Sequence, residues 1–260
     1  MNYGFFRVAA AAPRLRVADP DYNAGQLETV IDRAVAQQVR LLVTPELSVT
    51  GYTCADLFFQ SALLQGAKDG LRGIVRASAA LSSALAVGLP LELGGRLYNC
   101  AAIVAGGRLL GLVPKTYIPN YNEFYEKRWF TPGTELALSE VSAEALGLGD
   151  LQGEAVPIGT DLIFDAGAFR FGAEICEDLW ATVPPSAYLA MGGAEVMLNL
   201  SASNETISKR RYRRSLVSAQ SAAQLDGYVY VSAGCTESTT DLIFSGHSSD
   251  ELEAELAKTH

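Results

Sequence analysis

Three residues of different chemistry stand directly after apolar runs in this chain, and together they could supply a nucleophile, a base and a charge to steady a developing anion. Cys176 lies in Gly172-Ala-Glu-Ile-Cys176-Glu-Asp-Leu-Trp180, after the strand-like stretch from Leu162 to Phe171. A thiol fixed at the end of a buried strand suits a nucleophile, because attack needs a positioned thiolate. The same position also suits a small buried residue with no reactive role. Histidine is confined to His247 and His260, so a Cys–His pair would have to use His247 and a His-rich metal site cannot be assembled. A carboxylate is then the base to look for, with a lysine ammonium to hold developing negative charge.

Both residue types occur at strand ends. Val39-Arg-Leu-Leu-Val43 runs into Thr44-Pro45-Glu46, and Leu109-Leu-Gly-Leu-Val113 runs into Pro114-Lys115. Proline donates no hydrogen to a sheet ladder, so pairing should stop at each one and the next side chain should leave the sheet end. Taken singly, Glu and Lys at such places are ordinary solvated loop residues. Three such positions on three strand ends make one shared site the stronger reading.

The elements that would carry them alternate. A strand over 4–12 precedes a helix from about 24 to 38, where Leu27, Val30, Ile31, Ala34 and Val35 recur at helical spacing. A helical stretch follows over 60–83. Next come a hairpin through Gly94-Gly95 and a second turn at Gly106-Gly107. Residues 134–161 read as an irregular connection. The strand pair before Cys176 leads to a helix from Pro184-Pro185, a strand over 196–200, a helix over 209–226 and a strand over 228–233. Paired helices around mixed strands indicate a layered α/β domain.

The segments P-E-L-S-V-T-G-Y at 45–52, P-K-T-Y-I-P-N-Y-N-E-F-Y-E-K-R-W-F at 114–130 and A-E-I-C-E-D-L-W at 173–180 resemble the nitrilase superfamily of carbon–nitrogen hydrolases. Within it, the likeness is greatest to the N-terminal glutaminase domain of glutamine-dependent NAD synthetases. Asn199-Leu-Ser201-Ala-Ser203, Lys209 with Arg213, Tyr228–Val231 and Ser245–Ser248 extend it to roughly residues 4–248.

The resemblance implies a four-layer α-β-β-α sandwich with Glu46 as base, Lys115 as oxyanion stabiliser and Cys176 as nucleophile. It further implies that Glu126 holds the lysine and helps orient substrate, and that Tyr52, Tyr121 and Phe124 wall the pocket. Ser203 and Lys209 would meet the polar and charged ends of glutamine, and Glu177 would bind its amino group or brace the turn. Asp178, Trp129 and Trp180 read as structural.

The resemblance also sets the expected partners. The hydrolase domain covers residues 1–250 and 251–260 form a short acidic tail. Ser245-Gly246-His247-Ser248-Ser249-Asp250 lacks the second glycine of the synthetases' S-G-G-x-D-S phosphate motif, so the ATP-dependent synthetase domain is expected to be absent. No cofactor or metal is then expected here, ATP and Mg²⁺ belonging to that other domain. Ammonia from glutamine would pass to a synthetase domain or subunit for NAD synthesis, and a homo-oligomer is expected. Two other readings stay open: a free-standing amidase acting on another small amide, and a non-catalytic binding protein on the same fold.

Composition fits an ordinary enzyme domain. With 260 residues and 49% apolar content, the chain can bury one substantial core. A formal charge of −9 argues against nucleic acid as partner, Lys209-Arg-Arg-Tyr-Arg-Arg214 being only a local basic cluster. Cysteines 54, 100, 176 and 235 show no C-x-x-C pairing, which suggests free thiols in a reducing compartment. Phe5–Ala12 is too short to span a bilayer. A cytoplasmic location is the expectation.

Overall fold

The computed structural model describes residues 6–81 and 84–246. The expectations for His247, for residues 248–250 and for the acidic tail lie outside these residues.

Two sheets face each other. The first has the order β1 (Val8–Ala10), β2 (Leu41–Val43), β3 (Ala84–Leu93), β4 (Arg96–Ala105), β5 (Arg108–Pro114). Its first three strands are parallel and the rest antiparallel. The two tight connections, Gly94-Gly95 and Gly106-Gly107, all have positive φ, as two-residue hairpin turns require. Two short pairs follow: β6 (Asn120–Tyr121) with β7 (Phe124–Tyr125), and β8 (Glu140–Val141) with β9 (Val156–Pro157). The second sheet has the order β10 (Phe164–Asp165), β11 (Arg170–Ile175), β12 (Val196–Ser201), β13 (Gly227–Ser232).

Period-two alternation sorts the side chains. Leu41, Val43, Ala84 and Ala86 join Phe171, Ala173, Leu198 and Val229 in a core between the sheets. Small residues on the first sheet match phenylalanines on the second; at Gly111 a Cβ would come within 2.8 Å of the Phe164 ring. The alternate residues Leu42, Leu85 and Val87 turn to helices α1 (Pro20–Ala36) and α2 (Ser61–Ala77), meeting Leu27, Ile31, Leu71 and Ile74. On the far side of the second sheet, Met197, Tyr228 and Tyr230 pack with Leu189 of α3 (Pro185–Met191) and Val217 of α4 (Lys209–Gln224). Burying apolar area of this kind, at about 25 cal/mol per Å², is the main force holding the elements together.

Several boundaries differ from the sequence expectation. Helix α1 begins at Pro20, earlier than 24, because Asp19 caps it by accepting the Tyr22 N–H at 3.2 Å and Pro20 occupies the first turn. Helix α2 ends at Ala77, short of 83. The 134–161 connection is not wholly irregular, since β8 and β9 pair within it.

Candidate active site

Each chemically significant residue leaves the end of a strand. Strand β2 ends at Val43; the Thr44 N–H still reaches Ala86 at 3.0 Å, but Pro45 has no hydrogen to give. The chain then crosses to the second sheet, where the Glu46 N–H donates to the Ser201 carbonyl at 3.4 Å. Leu47 adopts φ +53°, and the Val49 N–H returns to the Gly88 carbonyl at 3.0 Å. The turn rests so closely on β3 that a Cβ at Gly88 would lie 2.3 Å from the Leu47 nitrogen and 2.7 Å from the Pro45 oxygen. Only glycine permits that approach.

Lys115 directly follows β5. Its N–H donates to the Asn99 carbonyl at 2.8 Å and its carbonyl accepts the Gly133 N–H at 2.7 Å. Cys176 directly follows β11 and opens a short 3₁₀ turn, Cys176–Trp180, with φ +48°. A left-handed backbone is uncommon for a residue bearing a Cβ, and here it turns the chain sharply at the strand end.

Three buried charges meet behind the sulfur. The Lys115 ammonium donates to Glu46 Oε1 at 2.7 Å and to Glu126 Oε1 and Oε2 at 2.8 and 2.9 Å. Asn99 Nδ2 also donates to Glu46 Oε1 at 2.7 Å, and the Tyr52 hydroxyl donates to Glu126 Oε1 at 2.7 Å. Both Glu126 oxygens are therefore engaged, whereas Glu46 Oε2 is buried without a hydrogen-bond partner among the described residues. A buried, unpaired carboxylate oxygen is costly and marks where a proton donor belongs.

Electrostatics follow from one ammonium set between two carboxylates. Burial opposes the Lys115 charge, but Glu126 and Glu46 outweigh it and hold the ammonium well above its ordinary range. Burial pushes Glu126 up to about 7, opposed by Lys115 and assisted by Glu46, so the cluster titrates as a unit. Burial, then the Glu46 charge, pushes the Cys176 thiol upward, with Lys115 opposing. At neutral pH the sulfur is thus a thiol that needs a base.

Cys176 opens onto a cavity of about 440 Å³. Tyr121, Phe124, Glu177, Ser203 and Lys209 line it, as do Glu123, Trp180 and Asn204. The Tyr121 hydroxyl donates to the Glu177 carboxylate at 2.8–2.9 Å. Lys209 donates to Asn204, which donates to Glu123, and its ammonium sits 5.8 and 5.7 Å from the Phe124 and Trp180 ring centres. Burial lowers Lys209 from its ordinary range. The wall thus carries one ammonium, Lys209, and two carboxylates, Glu123 and Glu177. Tyr52 and Glu126 are not among the lining residues; they stand behind Lys115. Trp180 also lines the cavity.

Sequence reasoning passed over Asn99, Gly88 and Glu123, and treated Asp178 as structural. No local motif marks Asn99 or Gly88, and Glu123 carries no assigned role although it lies inside the 114–130 segment; all three matter through what folding brings beside them. Among the described residues, no cluster of three or more His, Cys, Asp or Glu side chains could hold a metal ion.

Comparison with known proteins gives the chain's family. The glutamine-dependent NAD(+) synthetase of Mycobacterium leprae is 40% identical over 248 residues, covering 94% of this chain and 35% of that protein. The Rattus norvegicus protein of the same name is 30% identical over 88% of this chain and 32% of its own length. The chain thus spans about a third of the length of these relatives. A crystal structure of the Cytophaga hutchinsonii glutamine-dependent NAD(+) synthetase superposes with a TM-score of 0.76 at 28% identity, over 88% of this chain and 36% of that one. An amidase from Nesterenkonia sp. shares the fold, with a TM-score of 0.69 at 21% identity over 92% of this chain and 79% of that one. Residues 7–249 match the description Carbon-nitrogen hydrolase, nearly the whole length, and the chain belongs to the carbon–nitrogen hydrolase family.

Proposed function

We propose that this chain hydrolyses the side-chain amide of glutamine to glutamate and ammonia through a Cys176 thioester. The observation that carries the reading is the free Glu46 oxygen, beside Lys115 and close enough to the sulfur for its charge to act on the thiol. Glu46 Oε2 takes the Cys176 proton as sulfur bonds to the amide carbon, and the carbonyl π pair moves onto oxygen. Lys115 stabilises that oxyanion by its charge, passing to it one of the two bonds it gives Glu126. Glu46 returns the proton to nitrogen, the C–N bond breaks and ammonia leaves. Water then attacks the thioester, giving a proton to Glu46; the C–S bond breaks, the thiol is reprotonated and glutamate departs.

Lys209 and Ser203 would hold the substrate carboxylate, and Glu177, bridged to Tyr121, its ammonium. Phe124 packs on the side-chain methylenes, while Glu126 holds Lys115 and Tyr52 holds Glu126. In this reading residues 1–250 form the hydrolase domain, need no cofactor or metal, and pass ammonia to a synthetase domain or subunit that itself uses ATP and Mg²⁺ to make NAD. The protein works in the cytoplasm as a homo-oligomer. The absence of any long apolar helix able to cross a membrane, among the described residues, is compatible with that setting.

The test is labelling with diazo-oxo-norleucine, a glutamine-like electrophile, read by peptide mass spectrometry, beside turnover of glutamine, asparagine and simple amides. Adduct at Cys176 and preference for glutamine are expected. Adduct at Cys54 or Cys235 with Cys176 unmodified rejects the catalytic reading; preference for a simple amide rejects glutamine as substrate.

A further inference from the structure

Asp178 is buried, carries an acidic side chain and touches neither the cavity nor the Glu–Lys cluster. Its carboxylate instead collects three backbone N–H groups from two separate strand ends. Oδ2 accepts from Ile175 at 2.9 Å and from Thr116 at 3.3 Å, and Oδ1 accepts from Tyr117 at 2.7 Å. Ile175 immediately precedes Cys176, and Thr116 and Tyr117 immediately follow Lys115. One side chain thereby ties together the main chains that carry the nucleophile and the ammonium, strands β11 and β5 belonging to different sheets.

Resting on the function proposed above, we infer that Asp178 is a positioning residue: it sets the separation of Cys176 from Lys115 and holds Cys176 in its left-handed backbone conformation. Among the described residues, no other side-chain hydrogen bond joins these two strand ends directly. Two donors on one oxygen and a third on the other require an acceptor at both positions, which a carboxylate provides. Asparagine matches its shape but presents an NH₂ where one acceptor is needed, so at least one strand end must withdraw.

The experiment is Asp178→Asn in the full chain, with folding followed by circular dichroism. Glutamine turnover and the rate of Cys176 alkylation by iodoacetamide are each expressed per folded molecule. A displacement of about 1 Å at reacting atoms lowers turnover about 100-fold, with KM within about threefold of wild type. Alkylation is expected to change at least tenfold as the backbone before the sulfur relaxes. Both rates within twofold of wild type per folded molecule overturn the inference, whatever happens to thermal stability. Should Asp178→Asn fail to fold, Asp178→Ser, whose hydroxyl keeps one acceptor, is read by the same two rates. If wild-type protein is alkylated at Cys176 but does not hydrolyse glutamine, the proposed function fails, and the alkylation rates alone decide the role of Asp178.

Discussion

Gly88→Ala should injure catalysis without touching any ionisable group. The added methyl carbon would stand 2.3 Å from the Leu47 nitrogen, 2.7 Å from the Pro45 oxygen and 2.8 Å from the Glu46 carbonyl carbon. All three are backbone atoms, so no side chain can swing aside. Restoring ordinary contact requires the Glu46 turn to retreat by about 1 Å, since packed interiors leave no slack. That motion would break or lengthen the 2.7 Å Lys115–Glu46 bond and carry the free Oε2 away from the sulfur. A misplacement of this size costs about 100-fold in rate, or about 2.7 kcal/mol of transition-state stabilisation. Overpacking itself removes about 1–3 kcal/mol of stability, lowering Tm by roughly 3–10 °C.

The assay is ammonia release from glutamine beside a thermal melt, with Gly25→Ala as the matched control. Gly25 lies within α1, where a Cβ meets nothing within 4 Å. Alanine there should raise stability by about 0.5–1 kcal/mol and leave turnover unchanged. Wild-type kcat/KM in Gly88→Ala would refute the claim that this close approach positions the base.

Glu46→Gln should lower kcat by about 10²–10⁴-fold, because a resting thiol then lacks its proton acceptor; steady-state turnover and alkylation of Cys176 should fall together, and retention of either at wild-type rate would contradict the assignment. Glu126→Gln leaves Oε2 of Glu46 in place but weakens the hold on Lys115, so turnover should fall while alkylation by iodoacetamide, which forms no oxyanion, is less affected; the opposite order of effects would count against the roles given. Stability should decline as pH rises. Burial raises Glu126 and Glu237 to about 7, above the unfolded value of about 4. Between these values the folded state binds more protons than the unfolded state, so this contribution is full below about pH 4 and is lost as pH rises through about 7. Melting curves should show Tm lower at pH 8.5 than at pH 5.5 by at least about 5 °C, and a Tm that climbs across that range would refute the reading.

By itself the sequence determined which residue types could react and where on the strands they stand. Pro45 can donate nothing to a sheet ladder whatever surrounds it, because the missing N–H is covalent chemistry, whereas Pro114 still pairs with Cys100 as the last residue of β5; the apolar runs before Glu46, Lys115 and Cys176 carry their own periodicity. The glycine pairs that turn β3 into β4 and β4 into β5 were equally legible, since only a residue without Cβ adopts successive positive φ values cheaply. The helix start at Asp19-Pro20 was available too, as a capping residue followed by proline.

Tertiary structure alone decided which oxygen is free and what surrounds it. Glu46 and Glu126 are the same residue type; Glu46 is left with an open acceptor because Lys115 and Tyr52 occupy both oxygens of Glu126. Those partners lie 11 and 74 positions away along the chain. Likewise Asp178 looks like any acidic residue beside a cysteine until amides 61 and 62 positions distant fold onto it. Local sequence fixes backbone preferences over a few residues, whereas burial and hydrogen-bond partnership arise from segments that meet only when the two sheets pack.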